Sequence, residues 1–462
     1  MRIKKEVRKI VASVLAFLMV VSLIPVNSLM TKANAASKTT FEGGKTVEDG
    51  TWKGWTWNVF GSSTDVTKAF ATDTGNGGVT LEVTGDKGKI NGSASDQGLN
   101  TFLYELDKSY DFTITAQAKV DTLAANAQAA FGLTIRDNVG AHGNTAKLTA
   151  DKNNFAFVGG YGNQAASGHG NAGYKTTALA HTRLGESPEV GGTYDLAIQK
   201  VGDSVKLYFN GEVAAECSAD DLITDNAMYV GLFAARNAKV TFNNVKLAYT
   251  QDSSSVKVTT NVTAPKKTTY CAGNTYEDVD LTGFKATVSV DGKEREITAS
   301  DCVVDMSNDP FAEVTDAGKL NLLYLGQTIE VPITVIKEVV SDMYIEYMPV
   351  KTDYMVTDTA LDFTGLVGKV VYNSGRTFDL KTLIDSNDTN TKVSDVDFTT
   401  AGNKEVTVSH TYGDVTKEVV IPISVSDATV KNITITSPNT TRFYTDTEYD
   451  ADAYVEGLTI TA

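Results

Sequence analysis

Alternation of apolar and polar residues, with turn signals between the alternating runs, most limits what this chain can fold into. Residues 112–120 place Phe, Ile, Ala, Ala and Val on one face of an extended strand, and residues 129–135 repeat the pattern. Further runs at 194–200 and 205–209 flank Gly202-Asp203, and Asn210-Gly211 predicts a type I′ hairpin because both central residues need a positive φ. Antiparallel strands without an amphipathic helix predict a two-sheet β-sandwich.

The first 35 residues have the three parts of a secretory signal peptide. Five Lys and Arg residues within 1–9 precede an apolar run from residue 10 to about 26, and Ala33-Asn34-Ala35 is a small-x-small cleavage site. A membrane anchor is the alternative, but the run is short for a bilayer and Pro25 interrupts its end. The pattern predicts a secreted protein, extracellular or at the cell surface, with no membrane partner after cleavage.

An internal repeat organises the second half. The stretches 264–270 (APKKTTY), 348–354 (MPVKTDY) and 437–443 (SPNTTRF) recur, with their prolines 84 and 89 residues apart. Units of this size with short strands predict Ig-like sandwiches at 253–337 and 341–426 and a truncated one at 430–462. Tyr270 and Tyr354 recur at equivalent positions, which predicts core packing. Because some 30 residues cannot bury an Ig core, we expect a fragment, with room for a catalytic domain beyond residue 462.

The distribution of charge excludes some partners. The chain has a formal net charge of −16, and acidic residues outnumber basic ones by 23 to 18 in residues 36–250 and by 33 to 17 after residue 250. An acidic surface opposes binding to nucleic acid. Three cysteines form no complete disulfide framework, although Cys271 and Cys302 could pair. No spacing of His and Cys residues resembles a zinc site.

Several of these runs resemble known families. Two parts of the chain resemble concanavalin A-like (laminin G-like) jelly rolls. The late hairpins of those domains are similar to residues 194–200, 205–209 and Asn210-Gly211, and their last two strands are similar to residues 229–237 and 240–242. FGLTIRD (131–137) and YVGLFAARNA (229–238) resemble an accessory domain of large secreted pectin-degrading enzymes, including bacterial pectate lyases. The repeat pattern P-x-K-T-x-Y … D-x-T-G resembles bacterial Ig-like domains of the group 3 type.

The resemblance implies an all-β chain, with an N-terminal jelly-roll β-sandwich at 36–250 followed by tandem Ig-like β-sandwiches. It also implies that a structural calcium ion would be in keeping with the superfamily, although its ligands cannot be placed; no other cofactor is expected. Hydrolases of this superfamily carry E-x-D-x-x-E on one strand, which sets a carboxylate pair for acid/base work. Here Glu105-Leu106-Asp107 begins that motif but Tyr110 replaces its second Glu, so we assign no catalytic residue and predict binding.

The candidate glycan-binding residues fall into three groups. Trp52, Trp55 and Trp57 could supply a flat face for sugar rings, with core packing as the alternative. Arg136 and Arg236 end apolar strands and could bind uronate carboxylates, while a structural pair between Arg136 and Asp137 is the alternative.

The third group is a Gly-rich loop predicted from Gly159 to Gly173, which contains Tyr161 and His169 and is either functional or merely mobile.

Together these features predict a non-catalytic carbohydrate-recognition and spacer region of a secreted bacterial polysaccharide-degrading protein, with a pectic polysaccharide as its partner. The acidity of residues 36–250 opposes polygalacturonate binding unless calcium bridges the two or basic side chains cluster (Arg136, Lys175, Arg183 and Arg236). A cell-surface adhesin or structural stalk with a lectin-like head is the alternative. An enzyme with an unfamiliar carboxylate arrangement is a third reading.

Overall fold

The computed structural model describes residues 38–461 except 62–63, 91–96, 126–127, 147–153, 163, 171–179, 186, 429–432, 437–454 and 456. The predicted signal peptide therefore lies outside the described residues, as does most of the predicted third repeat. Among the described residues, no helix combines the length and apolarity needed to span a bilayer. The protein is all-β with several sandwich sheets, as the alternation predicts.

Contacts divide the described chain into two compact units. One contains residues up to 268 together with 275–310 and 317–333; the other contains 269–274, 311–316 and everything from 334 onward.

The strands up to residue 250 form two large sheets. Their bounds are β1 Thr39–Thr40, β2 Trp55–Phe60, β3 Ala69–Asp73, β4 Val79–Val83, β5 Leu99–Asp107, β6 Asp111–Leu123, β7 Ala130–Arg136, β8 Phe155–Tyr161, β9 Gln164–Gly170, β10 Ala180–Arg183, β11 Thr193–Val201, β12 Ser204–Phe209, β13 Glu212–Ser218, β14 Ala227–Ala235 and β15 Ala238–Thr250, with a short helix α1 at Ala219–Leu222. The sheet orders are β1-β3-β4-β15-β6-β11-β12-β13 and β10-β9-β8-β7-β14-β5-β2. One apolar core contains inward residues of both sheets, among them Ile114, Leu133 and Val230.

The predicted hairpin between β12 and β13 is confirmed. Asn210 and Gly211 have φ of 49° and 84°, which is the pair of positive values that a type I′ turn requires. The predicted strands around 112–120 and 129–135 are confirmed as β6 and β7.

The described part of the predicted Gly-rich loop, up to residue 170, lies in two strands and the turn between them, which corrects the prediction for that part; residues 163 and 171–173 lie outside the described residues. Residues 155–161 and 164–170 form the antiparallel hairpin β8–β9, in which Tyr161 pairs with Gln164 and Phe155 with Gly170. Small residues serve packing here: Ala165 and Ala166 are fully buried, and the Ser167 hydroxyl donates to the Ala214 carbonyl at 3.0 Å. Tertiary packing therefore outweighs the low strand propensity of glycine and alanine.

The seven-stranded sheet is buried on both faces over much of its area. One face joins the main core, and the other carries a second apolar cluster that includes Phe60, Phe155, Phe157 and Phe233, all with no exposed surface. Every residue of β7 is buried. Alternation along these strands therefore does not separate a core face from a solvent face.

The chain after residue 256 contains two consecutive repeats with the same strand order. The first repeat has sheets β16-β18-β19 and β17-β22-β21-β20, and the second repeat has sheets β23-β25-β26 and β24-β29-β28-β27. The bounds are β16 Lys257–Thr263, β17 Thr269–Cys271, β18 Lys285–Val290, β19 Lys293–Thr298, β20 Val303–Asp305, β21 Thr315–Tyr324, β22 Gln327–Ile336, β23 Val340–Tyr347, β24 Asp353–Met355, β25 Val367–Tyr372, β26 Thr377–Asp379, β27 Thr391–Val393, β28 Gly402–Tyr412 and β29 Val415–Ser426, with helix α2 at Leu380–Asp385 and a final pair β30 Thr434–Thr436 and β31 Thr459–Thr461.

The recurring tyrosines are core residues in both repeats, as their equivalent positions predict. Tyr270 and Tyr354 are 1% and 3% exposed, and each packs on a phenylalanine, Phe311 or Phe398, with ring centroids 5.2 Å apart. Strands β17 and β24, which carry them, run parallel to β22 and β29 respectively. The assignment of these units to the Ig-like family stays a prediction.

Candidate functional site

The three tryptophans are core residues, so they offer no exposed ring to a ligand. Trp52, Trp55 and Trp57 are 4%, 6% and 8% exposed. Trp55 stacks on Phe102 with ring centroids 5.2 Å apart, and Trp52 meets Trp55 edge-on at 5.7 Å. The Trp57 indole N–H donates to Asn100 Oδ1 at 2.7 Å. The alternative that the sequence left open, core packing, describes all three residues.

Arg136 is also fully buried. Its guanidinium donates to Gln97 Oε1 at 2.7 Å and lies 5.1 Å and 5.6 Å from the ring centroids of Phe155 and Phe60. Burial lowers the pKa of Arg136 to about 10, although the nearby Asp137 acts in the opposite direction. A guanidinium in this position serves the interior of the domain rather than an external carboxylate.

Asp137 shares this interior. Its carboxylate accepts from the Asn154 backbone N–H at 2.9 Å, the Asn154 side-chain amide at 3.0 Å and the Thr224 hydroxyl at 3.3 Å. Burial raises the pKa of Asp137 to about 6 despite the neighbouring Arg136. The alternative of a structural Arg136–Asp137 pair therefore agrees with the burial of both residues.

Tyr161 lies at the opposite end of the seven-stranded sheet. Arg136 pairs with Phe155, whereas Tyr161 pairs with Ala130, six positions away along β7, or about 20 Å at ~3.4 Å per residue. Tyr161 is half-buried, and the exposed Arg183 lies over its ring with the guanidinium 5.9 Å from the centroid. Arg183 also donates to Gln164 Oε1 at 2.5 Å and to the Tyr161 carbonyl at 3.3 Å. We call Tyr161, Gln164 and Arg183 the edge cluster.

The other predicted residues lie apart from one another. His169 is on β9, where its backbone pairs with Ala156 and Ala180. Arg236 follows β14 with a φ of 52°, is half-buried, and donates from Nε to the Gly88 carbonyl at 3.1 Å. Four strand spacings separate β14 from β10, about 19 Å at ~4.8 Å each, so Arg236 and Arg183 do not cluster.

Two further residues belong to the predicted basic cluster. Lys175 lies outside the described residues, and Arg136 is buried. Arg183 is the exposed guanidinium of the edge cluster. The sequence indicated it only as one of the four basic side chains whose clustering would allow polygalacturonate to bind.

The carboxylates that begin the hydrolase motif do not form an acid/base pair. Glu105 and Asp107 are exposed on β5, and hydrogen bonds from the Ser109 hydroxyl and backbone N–H lower the pKa of Asp107. A general acid near neutral pH needs a raised pKa instead. Asp137 has a raised pKa, but hydrogen bonds to Asn154 and Thr224 hold both of its oxygens inside the domain.

A cleft of about 990 Å³ opens within the first compact unit, which contains residues up to 268 together with 275–310 and 317–333. Its floor is the outer face of the eight-stranded sheet, with Gln117, Asp195 and Tyr208, and its wall includes residues 276–281 and 299–306. No alternation or motif in the sequence marks it, because the lining residues come from segments that are far apart in the chain, from Thr115 to Met306.

Metal and thiol chemistry have little support within the described ranges. These residues contain no group of three or more His, Cys, Asp or Glu side chains placed to hold a metal ion. Cys217, Cys271 and Cys302 form no disulfide bond, so the Cys271–Cys302 pairing that the sequence left open is not present. Burial raises the pKa of Cys302 to about 12, which makes it an unreactive thiol.

Comparison with known proteins gives one relative of note. The chain is similar to pectate lyase L of Thermoclostridium stercorarium, with 29% identity over 327 residues, which is 70% of this chain and 24% of that protein. The chain thus spans about a quarter of the length of that relative. No family model matches the chain.

Solved structures of low identity are also similar to part of the chain. The carbohydrate-binding module CBM66 from Bacillus subtilis has 16% identity, covers 45% of this chain and 98% of its own, and has a TM-score of 0.25. Lectin II from Ulex europaeus has 10% identity, covers 46% and 98%, and has a TM-score of 0.29.

Proposed function

We propose that this chain is the non-catalytic carbohydrate-recognition and spacer region of a secreted polysaccharide-degrading protein that acts on pectin. The observation that carries the proposal is the alignment with a pectate lyase over 327 residues, which are 70% of this chain and 24% of that protein. An alignment of that length cannot fit within residues 1–250 or 251–462 alone, so it includes parts of both the jelly roll and the repeats. The likeness therefore concerns an arrangement of modules.

The edge cluster is the part of the jelly roll that best fits a charged sugar. Arg183 is exposed, and its guanidinium is a planar donor that matches a carboxylate. The half-buried ring of Tyr161 lies beside it and adds an apolar surface of the kind that sugar rings contact. Pectic chains carry uronate carboxylates, and we place their contact at this cluster. The units after residue 256 then act as spacers.

Affinity-gel electrophoresis of the full chain tests this proposal. Gels containing polygalacturonate, methyl-esterified pectin or neutral polysaccharides are run with the wild type, Arg183→Ala, Tyr161→Ala and Lys392→Ala. Lys392 is exposed in the last four-stranded sheet and controls for the loss of one positive charge. We expect polygalacturonate to retard the wild type and Lys392→Ala, and to retard the two edge-cluster variants at least five-fold less.

The same proteins distinguish the proposal from the alternative functions. Absence of retardation by every glycan would contradict the recognition role, and binding to host glycoproteins instead would favour the adhesin. Release of unsaturated or reducing sugar by the purified chain would overturn the non-catalytic assignment. Calcium remains a prediction, which is tested by following retardation and unfolding with Ca²⁺ and with EGTA.

A further inference from the structure

The cleft in the first unit has fixed walls. The Thr115 hydroxyl donates to the Ser300 carbonyl at 2.7 Å, across the base of the cleft. Ala197, Tyr208 and Val303 form a small buried apolar cluster beneath it. Because hydrogen bonds and buried side chains hold both sides together, the cleft is preformed and a ligand need not order it on binding.

The size and lining of the cleft suit a small ligand with many hydroxyl groups. A volume of about 990 Å³ is at the upper end of the range for small-molecule sites. Its floor carries the half-buried Gln117, whose Oε1 accepts from the Asn244 side chain at 3.0 Å, and the exposed carboxylate of Asp195. Val213, on the edge strand β13, is 50% exposed and adds an apolar surface to the cleft.

The charge of the cleft decides which sugars can enter. Asp195, Glu212 and Glu277 line it, and none of the described lining residues is Lys, Arg or His. Carboxylates and amides bind hydroxyl groups well, but a polyuronate would bring further negative charge to three carboxylates, and Arg183, between the lining residues Thr182 and Leu184, is not itself part of the lining. The lining therefore favours an uncharged chain.

We propose that this cleft is a second carbohydrate site, specific for a short neutral oligosaccharide. This inference rests on the proposed function in its ligand class, but it concerns different residues and an opposite charge preference from the edge cluster. The chain would then engage two chemically different parts of one plant polysaccharide mixture, acidic at Arg183 and neutral at Gln117 and Asp195.

Isothermal titration calorimetry of the full chain tests the site. The probes are the neutral tetraoses of β-1,4-linked galactose, xylose and glucose, with tetragalacturonate as the charged comparison. The variants are Gln117→Ala and Asp195→Ala in the cleft, Arg183→Ala in the edge cluster, and Glu313→Gln as an exposed acidic control elsewhere. Tryptophan fluorescence on urea unfolding checks that each variant is folded.

We expect at least one neutral tetraose to bind, with Gln117→Ala and Asp195→Ala each weakening its binding five-fold or more, while Glu313→Gln leaves it unchanged. Binding of tetragalacturonate should be weakened by Arg183→Ala and unchanged by Gln117→Ala and Asp195→Ala. Failure of all three neutral tetraoses to bind, or unaltered binding in folded Gln117→Ala and Asp195→Ala, overturns the cleft proposal. Because the edge-cluster variants are measured with a different ligand, that failure leaves the proposed function standing.

Discussion

Replacement of Trp55 by Ala should destabilise the jelly roll rather than weaken glycan binding directly. Trp55 is 6% exposed, stacks on Phe102 and meets Trp52 edge-on. Truncation of a buried tryptophan to alanine costs about 3–5 kcal/mol, since it removes apolar contacts and leaves a cavity. With a urea dependence of about 3 kcal/mol per molar, the unfolding midpoint should fall by about 1–1.7 M.

The chain itself provides the assay. Its three tryptophans all lie within residues 52–57, so tryptophan fluorescence of the full chain reports the unfolding of the jelly roll alone, and Trp55→Ala keeps two reporters. Tyr347→Ala serves as the control, because Tyr347 is 68% exposed and outside the jelly roll; its midpoint should not change. The reasoning is refuted if Trp55→Ala unfolds at the wild-type midpoint and yet no longer binds glycan.

Two further predictions use the same fluorescence signal. Asp137 has a folded-state pKa of about 6 against an ordinary 3.8, so it adds stability as the pH falls. From pH 7 to pH 5 the gain is about 1 kcal/mol, and Asp137→Asn should remove it; identical pH profiles of the two proteins would contradict the assignment. Gly159 has a φ of 149°, and a Cβ there would lie 2.1 Å from the Phe131 carbonyl oxygen. Gly159→Ala should therefore cost more than about 3 kcal/mol, against about 1 kcal/mol for Gly185→Ala, which has a φ of 80° and open space; equal costs would disprove the clash.

The sequence predicts strands well where the signal is local. Alternation in β6 and the positive φ values at Asn210-Gly211 are local properties of the chain, so both were predictable even though residues 111–116 of β6 are all buried. The burial of Tyr270 and Tyr354 was also predictable, since alignment of the two repeats places both tyrosines at the same position.

The candidate site was harder to predict because the seven-stranded sheet is covered on both faces. Arg136 alternates with the core residues Leu133 and Ile135 in the way an exposed arginine would, but a second apolar cluster covers its face, and its guanidinium donates to Gln97 Oε1 and to the Asn138 carbonyl. Trp55 and Trp57 share a strand face, yet periodicity cannot say whether that face is inside or outside. The cleft required knowledge of tertiary contacts such as that between Thr115 and Ser300.

The parallel pairing of β24 with β29 has a mechanical consequence. Asp353–Met355, near the start of the second repeat, pairs in register with Ser424–Ser426, at the end of the repeat's last strand. Tension that pulls these two strands toward opposite ends of the repeat slides them past each other, so the hydrogen bonds between them are loaded together instead of opening one after another. A repeat built in this way resists extension by shear, because the hydrogen bonds between β24 and β29 must break together.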